Sequence, residues 1–410
     1  MRRMSLRGEG GAPGGRRASV NLCRMSVSAS AGGAGATDGS LAPRSGAAEE
    51  EVPGSEQKQQ WHCLELWRAT PELLALPKEE RVLRTTEELL VSHDGPFPPG
   101  ALTEDAPITC WESIQVQMFF GMVMGGPVVI IFFPIVAALM RSWHALVAWF
   151  VVTLVLAFHP LPKQNLSTSK FTLACYKYFT YRILWTDDVL AGALKEADAW
   201  VAASVPHGVM PLANWLGGVS SNVFMEGKMV GGAASVVLRT PFLRYLAAFG
   251  HPSDVSASSI QAHMAKGNCF SIVADGIAGI FSKPDEVALK SRTGLARLSL
   301  TAGFSVVPSY CMGNTEAYHV LYDGCGIMKN VSRALKVSLF FFWGKFGPIP
   351  RRTRMYTTYG PIVVPPALAG KTPTLEEIDE MHARLLKGIQ IAFDSHKDAC
   401  GYGHVDMKFT

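Results

Sequence analysis

The chain has 410 residues, 48% of them hydrophobic and only 18% charged, with a net charge of +4. That length supports one large core or two modest domains, and so apolar a composition points away from an ordinary soluble protein and toward a membrane-associated one. Residues 1–36 carry six arginines against one glutamate, so the remainder is near neutral and no basic face for nucleic acid is implied.

Residues 1–60 are rich in Gly, Ala, Ser and Arg. They lack the large apolar side chains that offset ordering entropy, and are predicted to be a disordered tail. Their Arg/Ser-rich, acid-poor start also has the composition of a transit peptide, which would place the protein in a plastid envelope. Residues 61–112 read as a helical connector. A helix is expected over 61–92, with Thr70 as cap and Pro71 as first position, before the Gly95-to-Gly100 break.

Residues 113–160 read as a membrane hairpin. No charge occurs from Met118 to Met140, and a second uncharged run extends from Ala145 to Phe158. The first run is long enough for a hydrocarbon core of about 30 Å, whereas the second gives only about 21 Å of helix. Pro127 and Pro134 are expected to kink the first helix. Two arms whose ends face the same side fit the pattern, either spanning the bilayer or embedded in one leaflet. Lys163, Lys170 and Lys177 follow it, which favours a cytosolic exit.

Residues 161–410 alternate short apolar runs with helical stretches, the signature of a layered α/β domain. Strands are predicted at 199–204, 234–238, 269–274 and 304–308. Thr240-Pro241 reads as the start of a helix that Gly250 stops, and Gly267 and Gly303 read as further stops. Thr374-Leu375-Glu376-Glu377 is a capping box opening a final helix to about Lys397. The eight cysteines are scattered without a Cys-x-x-Cys pair, supporting neither a zinc site nor a disulfide framework.

The candidate catalytic residue is His207, in Val205-Pro206-His207-Gly208 at the end of an apolar run. Acyl transfer from a thioester to an alcohol needs a base for the hydroxyl proton, and an imidazole with an unperturbed pKa of about 6.5 suits that task. There is no Gly-x-Ser-x-Gly elbow, phosphate loop or His-Glu-x-x-His helix. No histidine has an aspartate five positions later; after His207 that place is Leu212. A carboxylate partner must therefore come from elsewhere, and Asp275, Glu226 and Glu316 are the candidates. Two basic groups, Lys290 with Arg292 and Arg297, and Arg351 with Arg352 and Arg354, are of the kind that holds phosphates or anionic headgroups. Phe340 to Trp343 suit an acyl channel, the bilayer surface or plain core packing.

Taken together, the chain resembles the type 2 diacylglycerol acyltransferase family, which includes monoacylglycerol and wax-ester acyltransferases. The likeness covers roughly residues 115–410 in order. It runs from the hairpin through Tyr178-Phe179-x-Tyr181, Pro206-His207-Gly208 and Pro241-x-x-Arg244-Tyr245-Leu246. Gly276-Ile277-Ala278, Lys290-x-Arg292-x-Gly294, Val307-Pro308 and Gly313-Asn314-x-Glu316 follow. It ends with Trp343-Gly344-Lys345, Tyr359-Gly360-Pro361 and His396-Lys397. The resemblance implies a membrane enzyme of the endoplasmic reticulum and lipid droplets with a cytosol-facing site. It implies acyl-CoA as co-substrate, diacylglycerol or a related lipid as acceptor, and no metal or redox cofactor; a homo-oligomer is a further expectation. His207, Gly208 and Asp275 are then expected in catalysis. Pro206, Gly276, Lys290, Arg292, Asn314 and Glu316 are expected in substrate binding. Several positions depart from the family pattern, among them Met312-Gly313-Asn314, where Phe-Gly-Glu or Phe-Gly-Asn is more usual. Val205 replaces the first histidine of His-Pro-His-Gly. Asp275 and Gly279 stand where the family usually has glycine and glutamate.

Overall fold

The computed structural model describes residues 59–160, 168–187, 199–225, 228–321 and 340–410 less 369–370, together with 325, 327–328 and 330–331. The tail over residues 1–58, Lys163 and Glu226 lie outside the described residues.

Thirteen strands are named among the described residues. In chain order they are β1 (Gln60–Leu64), β2 (Leu90–Asp94), β3 (Arg182–Thr186), β4 (Trp200–Val205), β5 (Met229–Ala233), β6 (Pro252–Asp254), β7 (Cys269–Val273), β8 (Glu286–Val287), β9 (Ser305–Met312), β10 (His319–Val320), β11 (Phe342–Trp343), β12 (Tyr356–Tyr359) and β13 (Lys408–Phe409). The helices used below are α1 (Pro71–Ala75), α2 (Lys78–Leu89), α3 (Cys110–Leu139), α4 (Trp143–Phe158), α5 (Lys170–Tyr178), α6 (Leu212–Met225), α7 (Ser235–Arg239), α8 (Leu243–Ala247), α9 (Ala257–Met264), α10 (Gly294–Ala302) and α11 (Leu375–Asp394).

Nine strands form one mixed sheet in the order β2-β1-β3-β12-β9-β4-β7-β5-β6. β9, β4, β7, β5 and β6 run parallel. Such inner strands are covered on both faces and therefore read as continuous apolar runs, as β4 and β9 do. One core lies between the sheet and α3, α5 and α6, around Phe120, Tyr176, Leu216 and Met355. The other lies under α10 and α11, around Phe270, Leu300, Leu385 and Phe393. The protein is thus a layered, mixed α/β structure.

Three local expectations are corrected. The stretch over 61–92 is not one helix. Thr70 does cap a helix with Pro71 at its first position. However, α1 and α2 are flanked by β1 and β2, which pair with each other, and β1 also pairs with β3. Residues 61–112 therefore supply an edge of the α/β sheet rather than a separate connector. The strand expected at 234–238 lies at Met229–Ala233, and residues 235–239 form α7. Gly231 and Gly232 hid that strand from an apolar count. A Cβ on Gly232 would lie 2.7 Å from the Phe270 ring, so packing between strands selects glycine there. Finally, Thr240 closes α7 rather than opening a helix, and α8 begins at Leu243.

Over the stretch expected to form the hairpin the structure has two apolar helices, α3 and α4. α3 is long and apolar enough to cross a membrane; α4 is shorter. The first half of α3 is docked on the domain through Val116, Phe120 and Val123, each fully buried. Beyond it the helix projects with Ile131, Phe132, Ile135, Val136 and Leu139 exposed, and α4 returns with Phe150, Val151 and Val155 exposed. Contiguous exposed apolar surface of that extent marks an interaction face for a membrane or a partner. Pro134 has no N–H for the Ile130 carbonyl, and the Trp149 indole of α4 donates to that oxygen at 3.0 Å. Trp149→Phe is expected to leave the carbonyl unpaired and cost about 1–2 kcal/mol. Faster amide exchange over residues 130–136 would show it.

Candidate active site

Three neighbouring parallel strands build the site at their C-terminal ends, where open α/β sheets gather functional loops. β4 ends in Pro206-His207-Gly208, β7 in Ala274-Asp275-Gly276 and β9 in Gly313-Asn314. Sequence separations of 68 and 108 residues between bonded partners vanish because the strands are adjacent.

His207 is half-buried after a cis Val205–Pro206 peptide. Its Nδ1 lies 2.8 Å from the Gly208 carbonyl oxygen. A carbonyl only accepts, so Nδ1 carries the proton and the Nε2 lone pair is free. Burial holds the imidazole pKa below 6.5, and the bond to the Gly208 carbonyl partly offsets this. The ring is therefore neutral at pH 7. Gly208 has φ +61°, and a Cβ there would lie 3.1 Å from the Asn314 carbonyl, so both backbone and space call for glycine.

Asp275 is fully buried, and its Oδ2 accepts from the His207 backbone N–H at 3.0 Å. It holds the histidine by its main chain, not its ring. Oδ1 has no partner among the described residues. Burial raises its carboxyl to about 7, opposed by hydrogen bonds from His207 and the loop and by the Arg292 charge. A Cβ on Gly279 would lie 2.0 Å from Asp275 Oδ2 and 3.0 Å from His207 Cβ. The carboxylate of residue 275 therefore occupies the space of any side chain at 279. Residues 275 and 279 compete for one space.

The other expected residues divide. Arg292 is exposed, but its guanidinium reaches the Asp275-Gly276 turn: a Cβ on Gly276 would meet it at 3.4 Å. Lys290 is also exposed; its carbonyl accepts from His382 Nε2 at 3.2 Å. Glu316 is exposed beside the Tyr402 hydroxyl, and no bond joins it to His207. Arg352 and Arg354 donate to the Ala106 and Thr103 carbonyls and so tie down the 103–106 segment. Val205 is fully buried in the core, so its side chain is not at the site.

Asn314 makes three hydrogen bonds within the protein, which use both amide hydrogens and one acceptor site of Oδ1. Its Oδ1 accepts from Ala213 N at 2.7 Å, and Nδ2 donates to the Pro206 carbonyl at 2.9 Å and to Asn214 Oδ1 at 2.7 Å. It locks the start of α6 to the histidine turn. Asn314→Ala is expected to cost about 2–4 kcal/mol, since three buried groups lose their partner; a lowered melting temperature would report it. Sequence reading missed Asn214 and the adjacent polar cavity lined by Ser204, Ser221, Ser271 and Thr357. Asn214 next to apolar Ala213 and Trp215 was the available signal.

Residues 136–408, about two thirds of the chain, match the family model described as diacylglycerol acyltransferase. Diacylglycerol O-acyltransferase 2 of Dictyostelium discoideum is 26% identical over 224 residues, 49% of this chain and 67% of that one. The Mus musculus protein of the same name is 27% identical over 49% of this chain and 58% of its own length. Acyl-CoA wax alcohol acyltransferase 2 of Homo sapiens is 24% identical over 55% of this chain and 72% of its own length. A crystal structure of the 1-acyl-sn-glycerophosphate acyltransferase PlsC from Thermotoga maritima aligns at 10% identity over 68% of this chain and 97% of that one, with a TM-score of 0.33, too loose to carry an argument. With two thirds of its length matched to that family model, the chain belongs to the diacylglycerol acyltransferase family, a family of acyltransferase enzymes.

Proposed function

We propose that this protein is an acyl-CoA-dependent O-acyltransferase that converts diacylglycerol to triacylglycerol at a membrane surface, with His207 as general base. The observation that carries the proposal is the free Nε2 of a neutral imidazole, fixed by the Gly208 carbonyl at the end of β4. Nε2 takes the proton of the acceptor hydroxyl as its oxygen attacks the thioester carbonyl. The tetrahedral intermediate collapses with loss of the C–S bond, and the imidazolium returns its proton to the coenzyme A sulfur. Backbone N–H groups near Gly208 or at the Asp275-Gly276 turn are the candidates to stabilise the oxyanion. Asp275 positions the imidazole by accepting from the His207 backbone N–H. Lys290 and Arg292, exposed beside that turn, are suited to the coenzyme A phosphates. Pro206 and Gly276 shape the floor of the site, and Glu316 stands at its rim.

The projecting hairpin would place the enzyme in the endoplasmic reticulum membrane and at lipid droplets. Relatives named for wax alcohols and 2-acylglycerol support the same chemistry on other acceptors. Microsomes from cells lacking triacylglycerol synthesis, given labelled acyl-CoA with diacylglycerol, monoacylglycerol or a long-chain alcohol, test both points. Labelled triacylglycerol is expected. Product from another acceptor would move the substrate, and no product from any would overturn the reading.

A further inference from the structure

We infer that Arg244, acting with Phe242 and Tyr245, is a positioning residue that clamps the membrane hairpin to the catalytic domain and thereby sets where a bilayer-borne acceptor meets His207. The inference rests on the reading of the chain as a membrane acyltransferase and goes beyond it.

One short segment grips both arms of the hairpin. Arg244 Nη1 donates to the carbonyl oxygens of Leu156, Ala157 and His159 at 3.2, 2.5 and 2.9 Å. These are the last carbonyls of α4, which a helix leaves without partners, and a cation there also complements the helix dipole. The Tyr245 hydroxyl donates to the Leu156 carbonyl at 3.4 Å, and its ring lies 6.5 Å from that of His159. Two residues earlier, Phe242 has φ +69°, rare for a bulky side chain. Its ring sits on α3 so closely that a Cβ on Gly126 would lie 2.2 Å from it. A simple cap for α4 would not need the second contact.

The clamp is also joined to the histidine. The Leu246 carbonyl of α8 accepts from Trp215 Nε1 at 3.1 Å. Trp215 stands in the first turn of α6, edge-on to Phe120 of α3 at 5.8 Å. The same turn is bonded through Ala213 to Asn314, which holds the Pro206 carbonyl. An unbroken series of contacts therefore runs from the end of α4 to the base. The acceptor lies in the same bilayer as the hairpin, and misplacement by about 1 Å weakens a reaction strongly. Fixing the hairpin therefore fixes how lipid is presented to Nε2.

The test uses the full chain in phosphatidylcholine vesicles with oleoyl-CoA and two acceptors, dioleoylglycerol in the bilayer and dihexanoylglycerol from the aqueous phase. Arg244→Ala is expected to lower kcat/KM for the bilayer acceptor about tenfold, as expected for loss of charge-assisted bonds, with kcat/KM for dihexanoylglycerol within about twofold of wild type. Arg244→Lys restores part of the loss, because an ammonium keeps the charge but sits on a different, shorter-reaching stem. Gly126→Ala, which displaces Phe242, gives the same signature from the other arm and serves if Arg244→Ala does not accumulate. Amide exchange over residues 153–159 should quicken in Arg244→Ala, independently of activity. Equal losses with both acceptors, or no loss with either, would overturn the inference. A wild-type chain that acylates neither acceptor would overturn the proposed reaction instead, and exchange alone would then decide whether the clamp exists.

Discussion

Replacing His207 with alanine should lower kcat/KM by about 10²–10⁴, the usual contribution of a positioned general base. His207→Gln should lose as much, because glutamine keeps a hydrogen-bonding side chain but has no basic lone pair. Equal losses would separate chemistry from packing. The pH profile supplies the second check. Catalysis needs the neutral ring, and burial holds its pKa below 6.5. Activity should therefore fall as pH drops below that value. Labelled product formation by matched amounts of membrane-bound wild type and variants measures both effects. A variant within about twofold of wild type would remove His207 from the mechanism.

Asp275 should show the opposite signs for stability and activity. Its carboxyl is raised from the usual 3.8 to about 7, chiefly by burial. A raised folded pKa means that the folded state prefers the proton. The contribution of Asp275 to stability is thus fully present below the unfolded value and is lost as pH rises through about 7. Ionised and buried, it costs about 4 kcal/mol at pH 8. Asp275→Asn should therefore stabilise the solubilised protein at pH 8 by a net about 1–3 kcal/mol once the unpaired amide is counted, read as a higher melting temperature, with the gain shrinking toward pH 4. The same change replaces the carboxylate that accepts from the His207 N–H by a neutral, weaker acceptor and should lower kcat by about tenfold. Gly279→Ala should damage both properties, because its methyl would meet the Asp275 carboxylate at 2.0 Å. If the two positions share one space, Asp275→Gly with Gly279→Glu should recover activity that Gly279→Glu alone destroys. No recovery would show that the carboxylate works only from position 275.

Much of the organisation follows from local sequence. The hairpin is legible because lipid tolerates few charges over a helical span, and α11 because Thr374 and Glu377 form a reciprocal cap. His207 stands out because Pro-His-Gly after an apolar run forces a turn at a strand end. Local pattern could not reveal that β1 and β2 join a sheet whose remaining strands begin more than 80 residues later, since pairing is decided by long-range packing. Nor could it choose among the carboxylates, because adjacency of β7 to β4 alone brings Asp275 to the His207 N–H. Composition and periodicity determined the long apolar helix and the α/β layering, and Pro-His-Gly marked the turn that carries His207. Tertiary structure decided the partner of that base, the structural duty of Asn314 and the grip of Arg244 on α4, because each depends on segments that meet only once the parallel strands have paired.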